Sequence, residues 1–115
     1  MKSFESTSLM KNERDAIEAA VRILKNEFSV IEVILFGSKA RGDDDEHSDI
    51  DLLVVASGLL HWKEEKAIIG ALFDIGMEYN VIFSPLFTFS DEWKEGIFTE
   101  FPVYREISQD GVVVL

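Results

Sequence analysis

Short apolar runs alternate with longer segments of helical periodicity along this chain. The runs at residues 31–36 and 50–56 are rich in branched apolar side chains and end at polar or turn-forming residues, as buried strands do. Apolar residues recur every three or four positions over residues 8–28 and 62–77, which predicts two amphipathic helices, the first capped by a Ser or Thr. The pattern therefore predicts an α/β (α+β) chain, with helices flanking a small mixed β-sheet.

The last third of the chain continues the alternation with shorter elements. Residues 79–87 predict a third strand, and residues 90–99 predict a short helix that carries Asp91 and Glu92 in its first turn. The valines at residues 112–114 predict a short closing strand or an ordered tail. Because the chain has 115 residues and neither repeats nor a linker, we expect one domain spanning residues 1–115.

A phosphate-binding turn is predicted where the first strand ends. Gly37 allows close backbone approach by a ligand, and the Ser38 hydroxyl can bind phosphate oxygens. A helix that begins at Ser38 or Lys39 would add its free amide groups. Lys39 and Arg41 bring positive charge to this turn, and Arg41 either neutralises a leaving group or only caps the turn.

Two carboxylates enter the second predicted strand. Asp49 and Asp51 alternate with Ile50, so their side chains project to the same face of the sheet. Without a cation they would repel each other, and carboxylate oxygens are the ligands that Mg²⁺ prefers. The pair predicts a Mg²⁺ site for phosphoryl or nucleotidyl transfer.

The combination of these motifs resembles the polymerase-beta-like nucleotidyltransferase superfamily, in its minimal single-domain form. The resemblance rests on Gly37 and Ser38, the ten intervening residues, Asp49 and Asp51, and the flanking strands. It implies the polymerase-beta-like palm fold, with ATP held at Gly37, Ser38, Lys39 and Arg41 and Mg²⁺ held by the two aspartates. An acceptor hydroxyl would then attack the α-phosphorus of ATP, and pyrophosphate would leave.

The same resemblance implies a third carboxylate on the strand after the second long helix. Residues 79–84 contain no acid, which leaves Asn80 or Ser84 as candidates for that position. Asp74 and Glu78 lie just upstream, where a place on the helix surface is the plainer interpretation. Neither Asn nor Ser would act as a strong base.

Charge and composition narrow the range of partners. The chain has 11 basic and 22 acidic residues and a formal net charge of −11, which disfavours direct binding to nucleic acid. It lacks cysteine, and we see no signal peptide or membrane span, so we expect a soluble cytoplasmic protein. The acidic run at residues 43–46 and the histidines His47 and His61 are expected to lie in solvated surface positions.

The acceptor is suggested by the resemblance alone. Minimal members of the superfamily lack a second substrate-holding domain, which implies a helical HEPN-type partner in a toxin–antitoxin pair where the nucleotidyltransferase is the antitoxin. Two alternatives stay open: a catalytically degenerate nucleotide-binding module that neutralises a partner by binding, and a free-standing transferase for a small molecule. A homo-oligomer is also compatible with the sequence.

Leu59, Leu60 and Trp62 either form a partner surface or belong to the core. Tyr104 and Arg105 resemble the family's segment after its last helix.

Overall fold

A four-stranded sheet is the centre of the structure. The computed structural model describes residues 3–45 and 48–115, so Glu46 and His47, both predicted to lie at the surface, fall outside the described residues. The strands are β1 (Val30–Phe36), β2 (Ile50–Ala56), β3 (Phe83–Phe89) and β4 (Val112–Val113), in the order β3-β2-β1-β4. β1 is antiparallel to β2 and β4, whereas β2 and β3 are parallel, which confirms the predicted mixed sheet.

Helices cover both faces of this sheet. They are α1 (Lys11–Glu27), α2 (Gly37–Arg41), α3 (Trp62–Tyr79), α4 (Ser90–Glu95) and α5 (Pro102–Asp110), with short 3₁₀ turns at Phe4–Ser6 and Ile97–Glu100. The parallel pair β2 and β3 is joined through α3, because parallel strands need a long crossover connection. Within residues 3–45 and 48–115, none of the helices is both long and apolar enough to span a bilayer.

The side chains of β2 alternate between two apolar layers. Ile50, Leu52 and Val54 belong to the larger core, which includes buried residues of α1 and α3. Leu53 and Val55 belong to a smaller core together with residues of α4 and α5, chiefly Trp93 and Ile107. Since side chains alternate along a strand, Asp51 projects to the side of the sheet that α4 and α5 partly cover.

Several predicted boundaries move for local reasons. α1 begins at Lys11, and its N-terminus is satisfied by the Glu13 carboxylate, which accepts a hydrogen bond from the Met10 amide at 2.9 Å, so the expected Ser or Thr cap is wrong. α3 extends to Tyr79 and ends at Asn80, whose left-handed backbone (φ 60°) terminates the helix. β3 therefore begins at Phe83 rather than at residue 79.

The C-terminal segment differs most from the prediction. The predicted helix at residues 90–99 divides at Gly96, into α4 and the 3₁₀ turn. Tyr104 and Arg105, predicted to follow the last helix, lie inside α5, which has Pro102 in its first turn. The closing strand is confirmed, because Val112 and Val113 pair with β1.

Candidate active site

The turn after β1 is shaped by contact with Asp51. Gly37 opens α2 with a positive φ of 74°, a backbone conformation that side-chain-bearing residues rarely adopt. A Cβ atom at Gly37 would overlap the Asp51 Oδ2 atom. α2 starts at Gly37, one or two residues before the predicted start at Ser38 or Lys39, and Gly42 closes it with a φ of 83°. Gly37 therefore gives space to a carboxylate of this chain as well as to any ligand.

Asp49 and Asp51 lie at the open end of β2. Asp49 is exposed just before the strand, and Asp51 is half-buried opposite Phe36 of β1. Burial raises the pKa of Asp51, the negative charges of Asp49 and Glu106 raise it further, and the nearby Arg41 opposes them. The two carboxylates therefore repel each other where a cation would stabilise both.

The chemistry of this pair fits a Mg²⁺ ion. Two carboxylates at a solvent-accessible edge leave positions for water and phosphate oxygens, as Mg²⁺ sites in phosphoryl-transfer enzymes do. Among the described residues, no group of three or more acidic, His or Cys side chains is arranged to hold a metal ion. Asp49 and Asp51 could hold the ion as protein ligands, with the nucleotide supplying further oxygens.

Ser84 occupies the strand position beside Asp51. β2 and β3 pair with Asp51 opposite Ser84, so both side chains project to the same side of the sheet. Asn80 terminates α3, and Asp74 and Glu78 are exposed on that helix, which packs against the opposite sheet face. Of the four candidates for the third position, Ser84 is the one that the strand register places next to Asp51.

Lys39 is directed away from the turn. Its side chain is 2% exposed, and its Nζ atom is paired with the Glu13 carboxylate and lies 2.8 Å from Asp44 Oδ2. Burial lowers the pKa of Lys39, but hydrogen bonds to Asp44 and Glu13 outweigh burial and raise it overall. The predicted phosphate-binding role is not supported by this position, because two carboxylates already neutralise the charge. Asp44, expected in a solvated run, is half-buried here.

Arg41 remains at the site and has a partner that the sequence did not suggest. Its Nη1 atom lies 2.8 Å from Glu106 Oε1 of α5, and its Nε atom lies 3.1 Å from Asp43 Oδ2. Sequence reasoning missed Glu106 because it missed α5. Pro102 at the start, Gly111 after the end, and Val103 and Ile107 four residues apart were the signals for that helix.

A cavity of about 640 Å³ opens beside Asp49 on the side of α1 and α3. Met10, Met77 and Ile82 provide apolar walls, and Asn12, Ser48 and Asn80 provide polar groups. Nothing in the sequence indicated this cavity, because its walls come from three distant parts of the chain. It gives the exposed Asp49 a neighbouring space large enough for a ligand or for a partner side chain.

The mixed sheet, the Gly37 turn and the paired aspartates define a nucleotidyltransferase. The chain belongs to the polymerase beta nucleotidyltransferase family, which it matches over residues 18–100. This match confirms the resemblance drawn from the motifs, while the roles of individual residues stay predictions.

Two proteins of Methanocaldococcus jannaschii, both named as protein adenylyltransferases, are similar to this chain. One is 38% identical over 82 residues, which cover 71% of this chain and 76% of the relative. The other is 50% identical over 46 residues, which cover 38% of this chain and 46% of the relative.

Solved structures share the fold at lower sequence identity. A toxin–antitoxin structure with AMP-PNP aligns with a TM-score of 0.62 and 14% identity, covering 86% of this chain and 72% of that chain. A mutant of the toxin–antitoxin MntA–HpeT aligns with a TM-score of 0.55 and 16% identity, covering 94% of this chain and 73% of that chain. These similarities confirm the predicted fold class.

Proposed function

We propose that this protein transfers AMP from ATP to a hydroxyl group on a partner protein, in a Mg²⁺-dependent reaction. The observation that carries the proposal is the contact between the Gly37 turn and the Asp51 carboxylate, beside Asp49 at the open end of β2. This contact puts a phosphate-binding turn and a pair of metal-binding carboxylates at one edge of the sheet.

Each residue of the site has a proposed task. Gly37 and Ser38 hold the triphosphate, and Arg41 neutralises part of the charge of the departing pyrophosphate. Asp49 and Asp51 hold Mg²⁺, which when bound would polarise the phosphate oxygens and neutralise developing charge. Ser84, beside Asp51, is too weak a base to remove the acceptor proton. We therefore assign no general base on β3, and the proton of the acceptor hydroxyl would pass to solvent water as the new O–P bond forms and pyrophosphate leaves.

ATP and a protein acceptor are favoured by the relatives. The M. jannaschii relatives are named as protein adenylyltransferases, and one structural neighbour was solved with AMP-PNP. Both structural neighbours are toxin–antitoxin proteins, which supports an antitoxin role. A helical HEPN-type toxin as the acceptor is what the family resemblance implies. Use of ATP also supports a cytoplasmic location.

Transfer of a labelled adenylyl group tests this proposal. The protein is incubated with Mg²⁺, ATP labelled at the α-phosphate and a lysate of its source cells, and labelled proteins are separated. We expect a discrete labelled band that the Asp49→Asn/Asp51→Asn variant does not produce. An Asp91→Asn/Glu95→Gln variant removes the same charge from exposed positions of α4 and should label normally. Equal labelling by the site variant would refute the assignment.

A second function is favoured by Ser84. Because β3 places a hydroxyl where the family resemblance implies an acid, the chain could act as a nucleotide-binding module that neutralises its partner by binding alone. In that case the Asp49→Asn/Asp51→Asn variant would still neutralise the partner fully. Under the transferase proposal, the same variant would bind the partner and leave it active.

A further inference from the structure

Helix α3 has an apolar surface that the fold leaves uncovered. Ile69, Phe73 and Met77 follow at intervals of four residues and are 49%, 67% and 72% exposed. Trp62, about two turns before Ile69 on the same side of the helix, is 62% exposed. The core uses a different side of this helix, formed by Ile68, Leu72 and Ile75. We call the surface formed by Trp62, Ile69, Phe73 and Met77 the α3 stripe.

The α3 stripe leads to the active site. Met77, at its C-terminal end, forms one wall of the cavity beside Asp49, together with the exposed Met10 and Ile82. Ile82 is fixed next to β2, because its carbonyl oxygen accepts a hydrogen bond from the Ile50 amide at 2.8 Å. Apolar surface therefore continues along α3 to the cavity beside Asp49.

The α3 stripe contributes little to folding. Substituting exposed side chains of this kind has small effects on stability, whereas contiguous exposed apolar surface marks a site of interaction. From Trp62 to Met77 the helix rises about 22 Å, which is about four turns of a second helix lying alongside it. A facing helix with an apolar stripe would match it in length and in spacing.

The charges around the α3 stripe select the partner. Lys63 and Lys66 are exposed near Trp62 in the first turns of α3, whereas the C-terminal half, beside Phe73 and Met77, carries Asp74 and Glu78, both acidic and exposed. The described lining of the adjoining cavity includes the exposed Asp49 and no Lys or Arg, while its other acid, Glu13, is already paired with Lys39. Each copy of this chain carries a formal net charge of −11, so two copies would repel each other over the whole molecule. A partner with basic residues is therefore favoured over self-association.

We propose that the α3 stripe docks an amphipathic helix of a partner protein, with Lys or Arg residues flanking the apolar side of that helix. Docking there holds the partner beside Asp49. The position of the acceptor rests on the proposed transferase function, whereas the docking itself needs neither ATP nor metal.

A designed peptide tests the docking surface directly. The probe is a fluorescein-labelled amphipathic helix of about 18 residues made of Leu and Lys, which matches the α3 stripe in length. Binding is followed by fluorescence anisotropy, with a scrambled peptide of the same composition as reference. We expect the amphipathic peptide to bind at least about tenfold more tightly than the scrambled one. Phe73→Gln or Met77→Gln should each weaken binding about fivefold, as truncation of a central contact does.

Matched controls define the outcomes. Ile31→Gln removes an apolar residue that is 50% exposed on β1 and should leave the affinity unchanged. If the scrambled peptide binds equally well, net charge alone explains the binding and the docking surface is refuted. If a peptide of Leu and Glu binds equally well, the proposed preference for a basic partner is refuted. A dimer of this protein that Phe73→Gln dissociates would instead identify a second copy as the occupant.

The same assay separates docking from catalysis. The Asp49→Asn/Asp51→Asn variant should still prefer the amphipathic peptide to the scrambled one by the same factor, because the proposed docking does not require Mg²⁺, while its lower negative charge should weaken both peptides alike. If the protein binds the peptide but transfers no adenylyl group to any protein in the labelling assay, the proposed function is refuted and the docking surface is not. Transfer that persists while Phe73→Gln has no effect on peptide binding would refute the docking surface alone.

Discussion

At the scale of single residues, Gly37 and Asp51 depend on each other. The positive φ at Gly37 aims its Cβ position at the Asp51 carboxylate, so any side chain there would displace a proposed metal ligand. Gly42 has the same kind of backbone conformation, with φ 83°, but its nearest neighbour in the Cβ direction is Ser8 Oγ at 3.4 Å. The two glycines therefore separate backbone strain from displacement of the carboxylate.

Gly37→Ala is expected to reduce adenylyl transfer at least tenfold, because small displacements of reacting groups have large effects on rate. Gly42→Ala should keep near-normal transfer. Both variants should lose about 1 kcal/mol of unfolding free energy, since each forces Ala into a left-handed conformation. Urea unfolding and the labelling assay measure the two effects. Equal loss of transfer in both variants would attribute the effect to strain and not to Asp51.

The sequence was sufficient to place the residues whose position follows from strand periodicity. Asp49 and Asp51 could be assigned to one face because side chains alternate in a strand, and β2 has the predicted bounds. The position of Lys39 could not be predicted, because its partners Glu13 and Asp44 come from α1 and from the loop after α2. A basic residue beside a phosphate-binding turn has two possible directions, and tertiary contacts decide between them.

At the scale of elements, α5 completes the site from the far end of the chain. Ile107 anchors this helix in the smaller core, and Glu106, the preceding residue, reaches Arg41 of α2. The ion pair holds Arg41 close to Asp51, but the Glu106 carboxylate would also repel a triphosphate. α5 therefore both positions the arginine and competes with the nucleotide for it.

Glu106→Gln is expected to tighten binding of a non-hydrolysable ATP analogue with Mg²⁺ by about threefold, the size expected of one exposed ion pair. Arg41→Gln should weaken the same binding. Isothermal titration calorimetry measures both changes. Glu95→Gln removes one negative charge from the surface of α4, so an equal effect of that variant would mean that net charge alone explains the change.

Element boundaries followed the sequence where one periodicity dominated. The strands β1 and β2 and the long helices were predicted because their apolar spacing is unambiguous. The start of β3 was wrong because residues 79–82 are apolar enough for a strand, while Asn80 closes α3 in a left-handed turn. α5 was missed because its apolar side rests on Val103 and Ile107, too few residues to show a period.

At the scale of the whole molecule, the acidic charge and the active site affect stability together. A formal net charge of −11 on 115 residues disfavours the compact state through self-repulsion, and salt should relieve part of this effect. The Asp49 and Asp51 pair concentrates the same repulsion at one point, where burial and like charge raise the pKa of Asp51. General screening and specific Mg²⁺ binding should therefore both raise the melting temperature, by separable amounts.

Mg²⁺ at about ten times its Kd is expected to stabilise the protein by about 1.4 kcal/mol beyond NaCl of equal ionic strength. For a domain of this size that corresponds to a rise of about 5 °C in Tm, measured by calorimetry or circular dichroism. The Asp49→Asn/Asp51→Asn variant should start from a higher Tm in metal-free buffer, because the repulsion is gone, and should respond equally to the two salts. An excess Mg²⁺ effect that survives in this variant would place the cation elsewhere on the acidic surface. If neither protein distinguishes Mg²⁺ from NaCl, the two carboxylates bind the ion only together with the triphosphate, and the excess stabilisation should return when Mg²⁺ and the ATP analogue are added together.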